Sequence, residues 1–598
     1  MQDTARESRL FAIVLLLAVC MVVFRAVATG MAPIDTLSVS DNDDIMRFLM
    51  VRDWLAGQGW YDTTQYRMLP PEGLEMHWSR YVDLAIAAII LPLSLVMTEA
   101  QAAAVALVAW PTMLLLALIV LTGLAARRLF GGMAALVAVV AVLLWPPTGL
   151  TYFAPARIDH HNVQILLTTL MLISVVWPAP SMRGGIVGGL AAALSLAVGL
   201  ETMITIALAG LVLTVRAMML QDGAARHLAG FSLALAGGAT LFFMGQTAPG
   251  GLLVPRCDEL SLPYLALAWT GAAICIGVVA LSPRLPSLAL RVVLLVALAA
   301  AGIVALSPLI GPCASGPYDS LPQEVQDLIT GRIIEARPTL PYLWEANGLG
   351  FRFVAPAAMA VLLGSLTWGW QSLRGRAGAG TPAKLGVLLL FGWLGVIGAL
   401  FQIRLVLMGA AAIPMLVGVV VATLLEWGRE GLFGRLRSVP ALLAVVLTLM
   451  TPTLHGLAHG GGGAGATMTA SGGQSVDADA CRQPHILRSL NSVPEGVILS
   501  SSSYGPPLLL LTGHAALAGP YHRSADAIAN GAVPFDGDEQ TLRAALERTG
   551  ADYLLLCRDA HYGDGTSFAT QLARGLAAGG LVPVDGPAPE LVLLRVER

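Results

Sequence analysis

Residues 10–29 read LFAIVLLLAVCMVVFRAVAT, and residues 41–44, shortly beyond them, read Asp-Asn-Asp-Asp. The first stretch has about the length that crosses roughly 30 Å of hydrocarbon as a helix. Carboxylates beside a bilayer are costly and point to function by default. Two further islands repeat the pattern: Asp159-His160-His161 between two later apolar runs, and Glu335 in a long polar loop. Carboxylates with an imidazole are what a hard or borderline divalent cation needs. The expectation is a membrane-embedded, metal-assisted active site.

The rest of the chain is apolar enough to agree. Of 598 residues, 56% are hydrophobic and 12% charged, and mean hydropathy is +0.73. Soluble domains carry about 25% charged residues, so the reading is a polytopic α-helical membrane protein. A net charge of -3 offers no basic surface for nucleic acid. A cleaved signal peptide ending at Ala26-Val27-Ala28 is the rival for the first run. Arg25 inside the run, and the membrane-rich chain beyond it, favour a retained anchor.

Apolar runs fall near 10–29, 103–126, 131–149, 163–177, 185–200, 203–219, 228–246, 263–282, 291–310, 354–371, 385–401, 405–426 and 439–455. With the N-terminus inside, arginines gather at every inward end, from Arg6 and Arg9 through Arg127-Arg128, Arg216 and Arg284 to Arg429 and Arg437, as the positive-inside rule requires. Counting 84–96 as a further span would reverse all later loops, so it reads as an interfacial or re-entrant helix. The expected organisation is a transmembrane domain over 1–455 with about thirteen helices, a Gly-rich linker over 456–479 and a small outer α/β domain over 480–598. Its large first outer loop is 30–102 and a second long outer loop is 311–353. Within the outer domain, 539–548 reads as an amphipathic helix and 553–556 as a buried strand.

Cys20 and Cys275 lie in apolar runs. Cys257 and Cys313 fall in outer loops, and Cys481 and Cys557 in the outer domain. Each outer pair could form a disulfide in an oxidising compartment, which spacing alone does not establish.

Each polar island has a plain structural reading. Asp41, Asp43 and Asp44 suit a solvated turn and helix N-cap, before a helix-like stretch at 47–59. Asp159 and His161 suit a helix start, yet in an extended or turn conformation they present an oxygen and a nitrogen to one side. Glu335 suits a surface helix end before Pro338. Arg404, at the outer end of an apolar run, suits snorkelling to the interface, or a guanidinium fork holding a phosphate. Their order, side and spacing along one chain carry the functional reading.

That constellation resembles the catalytic subunits of the oligosaccharyltransferase family, within the GT-C glycosyltransferases. Asp44 precedes Gly59-Trp60-Tyr61-Asp62 at a family-like distance, and Asp159-His160-His161 resembles the family's Asp-x-His variant. Glu335-Ala-Arg-Pro338-Thr339 resembles its Glu motif, and Arg404 falls where a pyrophosphate-contacting arginine is expected. His77, after Pro70-Pro71-Glu72-Gly73, lies where some members carry a functional histidine. The resemblance implies a Mg²⁺ or Mn²⁺ site on Asp44, Asp159 and His161, with Asp41, Asp43 and His160 in support. It implies Asp44 and Glu335 as catalytic residues, Arg404 as the donor-phosphate ligand and a mobile outer loop over 311–353. The donor would be a polyprenyl-linked phosphate or pyrophosphate sugar, transferred with inversion on the outer face to a protein, lipid or polysaccharide. The setting would be a multi-pass inner membrane, N-terminus cytoplasmic and C-terminal domain periplasmic or extracellular.

One departure stands out. The family's outer domain carries Trp-Trp-Asp-Tyr-Gly to read the hydroxyl of an Asn-x-Ser/Thr acceptor. Here the stretch is Ser501-Ser502-Ser503-Tyr504-Gly505, so Tyr504 and Gly505 persist while both indoles and the acid are gone. A pocket stripped of its polar partners loses hydroxyl selectivity. This favours a second reading, a GT-C enzyme that moves a monosaccharide from polyprenyl phosphate to a lipid or surface polysaccharide. A transporter or flippase is the rival from another class, and it predicts ionisable residues in broken helices at mid-membrane.

Overall fold

The computed structural model describes residues 2–314, 316, 318, 321–332, 336–343, 349–374, 381–432, 436, 438–451 and 480–597. Every apolar run read from the sequence contains a helix. Among the described residues, 8 helices are long and apolar enough to cross a membrane, and Ile403–Gly409 with Ile413–Arg429, bent by 62°, form a further candidate. Gly132–Leu144, His161–Val176, Met182–Val198 and Val439–Met450 are shorter apolar helices. The chain is a multi-pass helical membrane protein with a small C-terminal sheet region.

Packing divides it into two compact units. The first comprises Met1–Gly30, Val108–Pro317 and Pro338–Ala464; the second comprises Met31–Leu107, Tyr318–Arg337 and Gly465–Arg598. The second unit therefore gathers three segments that lie far apart in sequence, all read as outward from charge placement.

In the first unit the helices approach closely where side chains are small. A Cβ on Gly185 would lie 2.1 Å from the His227 carbonyl oxygen, and one on Gly189 would lie 2.3 Å from that of Phe231. Helix Met182–Val198 thus packs backbone to backbone on Ala224–Gln246, the small-residue solution for apolar bundles. Arg25, the charge inside the first run, is held rather than exposed to lipid: its Nη2 donates to the Phe153 carbonyl at 2.8 Å. Trp145 Nε1 donates to the Phe353 carbonyl at 3.0 Å, which ties the loop before the second acidic island to helix Leu349–Arg374. Cys257 and Cys313 are bonded, with Cα atoms 5.1 Å apart.

The second unit is built on five strands: β3 (Val497–Leu499), β4 (Ala515–Ala516), β5 (Tyr553–Cys557), β6 (Leu581–Pro583) and β7 (Leu591–Val596), following the hairpin pair β1 (Thr64–Gln65) and β2 (Leu74–Glu75). The sheet order is β4-β3-β5-β7-β6. β3 runs parallel to β4 and β5, and β7 runs antiparallel to β5 and β6. All five residues of β5 are buried, as its unbroken apolar run predicts. Helix Glu539–Thr549 is capped by Asp538 and stopped by Gly550 at φ 61°, a left-handed C-terminus that glycine favours. Cys481 and Cys557 are bonded, with Cα atoms 5.9 Å apart. The run at 84–96 becomes helix Arg80–Leu93, in this second unit and short of a full crossing.

Candidate active site

Five polar residues, Asp159, His160, His161, Glu201 and Arg404, gather in the first unit, each placed at a break between apolar helices. Helix His161–Val176 starts at His161, with Asp159 and His160 in the turn that feeds it. Asn162 closes that turn, donating from Nδ2 to the carbonyls of Tyr152 at 3.1 Å and Arg157 at 3.0 Å. The Tyr152 ring stacks on His161 at 5.2 Å between centroids. Constrained this way, the Asp159 carboxylate meets His160 Nδ1 at 2.6 Å and, through its second oxygen, His161 Nδ1. The sequence reading placed Asp159 and His161 on one side; the structure puts them in contact and adds His160 directly.

A carboxylate next to two imidazoles is an electrostatic statement. Burial alone would raise the Asp159 pKa, but the His160 and His161 rings override it and hold the carboxyl well below its usual range. Burial alone would likewise lower that of His160, and the Asp159 and Glu201 carboxylates drive it upward instead. The ligand atoms of Asp159, His160 and His161 all lie within 4.8 Å of one another. One oxygen and two nitrogens in that reach fit a borderline divalent cation better than Mg²⁺, whose shell is oxygen-rich. Mn²⁺, the other ion expected, accepts such a mixed set more readily.

Glu201 is the residue that sequence reading missed. It occupies the single turn Leu200–Thr202 between helices Met182–Val198 and Met203–Met218. Its Oε1 lies 3.1 Å from His160 Nε2, and its Oε2 accepts from Gln164 Nε2 at 2.8 Å. The signal was present as a lone carboxylate between two apolar runs, which the intramembrane rule flags. Arg404 sits in the 3₁₀ segment Ile403–Gly409, after the extended Gln402 that ends helix Thr381–Phe401. A cavity of about 30 Å³ is lined by His161, Gln164, Glu201 and Arg404, with Ile165 and Met408 among its apolar walls. Thus Arg404 lines the same space as His161, and Glu201 joins them.

The other expected residues that the structure describes belong to the second unit. There, Asp41 caps helix Asn42–Leu55 by accepting from the Asp43 amide at 3.1 Å. That cap starts the helix earlier than the 47–59 expected. Asp43 and Asp44 fill its first turn, where negative charge is favoured. Asp44 is fully buried, and Ser40 Oγ donates to its carboxylate at 3.2 Å. His77 and His522 place their rings 4.4 Å apart. Tyr504 is buried, and Gly505 opens helix Gly505–Leu511 where a Cβ would lie 1.9 Å from the Ala518 carbonyl oxygen. The Ser501 and Ser503 hydroxyls bond each other at 3.2 Å where the family has an indole and an acid. Glu335 lies outside the described residues; downstream in the first unit, the Thr339 hydroxyl donates to the Ala399 carbonyl.

This architecture, a multi-pass apolar helical bundle in one unit and a small mixed sheet in the other, is the GT-C fold. The chain is similar to the archaeal oligosaccharyltransferase AglB from Archaeoglobus fulgidus, solved with an inhibitory peptide and a dolichol-phosphate. That likeness has a TM-score of 0.67 at 14% identity, over 92% of this chain and 69% of AglB. The same AglB in a complex with Zn and sulfate gives a TM-score of 0.62 at 14% identity, over 91% and 68%. ArnT from Cupriavidus metallidurans bound to undecaprenyl phosphate gives a TM-score of 0.42 at 14% identity, over 97% of each chain. No protein-family model matches the sequence, and no curated protein matches it significantly.

Proposed function

We propose that the protein is a membrane glycosyltransferase that takes a glycan from a polyprenyl-linked phosphate or pyrophosphate donor and passes it to an acceptor on the outer face. The observation that carries this reading is the shared cavity of His161, Glu201 and Arg404 in a GT-C fold. Arg404 binds donor phosphate oxygens through its guanidinium fork. Asp159 and His161, with His160 at their side, would hold a divalent cation, which supplies charge neutralisation to the leaving phosphate. Asp44 as metal ligand and orienter of the acceptor nucleophile, and Glu335 as a residue that enters on loop closure, rest on the resemblance.

The AglB structures contain an inhibitory peptide with dolichol-phosphate, an acceptor peptide with the NVT sequon, and Zn with sulfate, which supports a lipid-phosphate donor and a divalent cation for this chain. The Ser501–Ser503 stretch favours a second reading of the acceptor, a lipid or surface polysaccharide glycosylated from a monosaccharide-phosphate carrier. Lipid extraction and mass spectrometry after gene deletion test both. The deletion strain should accumulate a polyprenyl-linked sugar and lack one glycoconjugate, and an Asp159→Asn gene should not restore it. An unchanged lipid and glycoconjugate profile overturns the glycosyltransferase reading. If the acceptor is a peptide, Asn-x-Ala should serve nearly as well as Asn-x-Ser, because the hydroxyl-reading residues are absent.

A further inference from the structure

The Glu201 carboxylate sits in the cavity assigned to a phosphate, where negative charge by itself is unfavourable. Its seating is nonetheless well defined. His160 and Gln164 each use one of its oxygens, at 3.1 and 2.8 Å. An ionised carboxylate offers about four acceptor positions, so two remain for a ligand. The Glu201 side chain is 40% exposed, against 6% for His160, and it lines the cavity with Arg404. Gly199 provides the space. Its backbone is extended, at φ 179°, so any residue could adopt it. A Cβ there, however, would lie 2.3 Å from Glu201 Oε2 and 2.8 Å from Gln164 Nε2. The turn therefore reserves room for a carboxylate held by Gln164 beside Arg404.

We propose that Glu201 is a specificity-determining residue that accepts hydrogen bonds from hydroxyl groups of the donor's first sugar, while Arg404 takes the adjoining phosphate. This rests on the donor reading above. An acid that repels the phosphate and attracts the sugar makes opposite predictions for the two halves of the donor, which a mere prop for His160 does not.

The full-length protein in lipid nanodiscs is titrated with undecaprenyl phosphate, and with undecaprenyl phosphate bearing each of several single sugars, read by native mass spectrometry. The wild type should bind at least one glycosylated lipid more tightly than the bare one. Glu201→Gln should keep or tighten bare undecaprenyl phosphate and weaken the glycosylated lipid about tenfold, the loss of roughly one charged hydrogen bond. Gly199→Ala, which displaces the carboxylate without changing charge, should weaken the glycosylated lipid in the same direction. Equal weakening of both lipids by Glu201→Gln, no change in either, or a wild type indifferent to the sugar overturns the inference. Arg404→Ala should weaken every lipid; if it weakens none, the underlying phosphate reading fails, whatever Glu201 does.

Discussion

Two aspartates are buried between cationic or potentially cationic neighbours, and what those neighbours are separates structure from chemistry. Asp83 bridges Arg47 at 2.8 Å and Arg80 at 3.0 Å, with its side chain fully buried. Both guanidiniums have further anchors: Arg47 lies over the Trp78 ring at 4.8 Å, and Arg80 donates to the Met50 carbonyl at 3.2 Å. A guanidinium stays protonated and has no lone pair for a metal, so this triad ties the helices Asn42–Leu55 and Arg80–Leu93 together. Asp159 has imidazoles instead, which can exchange a proton for a cation. Replacing Asp83 with Asn should leave two buried guanidiniums undercompensated and cost about 3–5 kcal/mol. Thermal unfolding of the purified variant should show a clearly lower midpoint in the second unit, and an unchanged midpoint would show that the pair of arginines is satisfied without it.

At the scale of elements, the useful residues sit where helices begin or break. The first-loop island is set by such a join: Asp41 caps the helix, and the chain just before it is gripped by Arg482. That buried arginine donates from Nε to the Ser38 carbonyl at 2.9 Å, and from Nη2 to the Ser40 carbonyl at 2.8 Å and Asn42 Oδ1 at 3.1 Å. Tyr521 adds a hydroxyl bond to the Asn42 carbonyl at 2.9 Å. Lysine has no fork to reach three acceptors, so both Arg482→Ala and Arg482→Lys should loosen residues 38–44. Hydrogen exchange of the peptide covering them should speed up while β5 stays protected; unchanged exchange there would deny the clamp. This join also shows what a sequence discloses. The apolar runs were legible because lipid solvent admits few patterns, and Asp159, His161 and Arg404 because charge in an apolar context stands out. The early start of helix Asn42–Leu55 was not, because the Asp41 cap competed with a loop reading of the same residues. Glu201 was hidden by its position in one turn between two runs, and its partners His160 and Gln164 are joined to it only by folding. Arg482 lies over 400 residues from the carbonyls it holds, a separation no local pattern reports.

For the whole molecule, charge and sulfur give independent readings of sidedness. Arginines cluster at alternate helix ends, which the positive-inside rule reads as an inside N-terminus with residues 247–262, 311–353 and 480–598 outside. The four bonded cysteines, Cys257 with Cys313 and Cys481 with Cys557, fall within those outward segments. The free cysteines, Cys20 and Cys275, fall in apolar helices. Disulfides persist in oxidising compartments and are rare in the cytosol, so both patterns support the proposal that the second unit's sheet faces the oxidising side. The bonds close stretches of 56 and 76 residues, which on chain entropy stabilises each by about 4 kcal/mol. A fluorescent protein that matures only in the cytoplasm, fused after Arg598, should therefore stay dark, whereas a phosphatase that needs an oxidising compartment should be active there. The same two reporters after Arg128 should give the reverse. Intact protein alkylated without reductant should gain label on two cysteines at most, and after reduction and unfolding on six. A fluorescent C-terminal fusion, or free thiols at 481 and 557 in freshly isolated membranes, would turn the protein over in the bilayer and remove the outer face from which its acceptor is proposed to come.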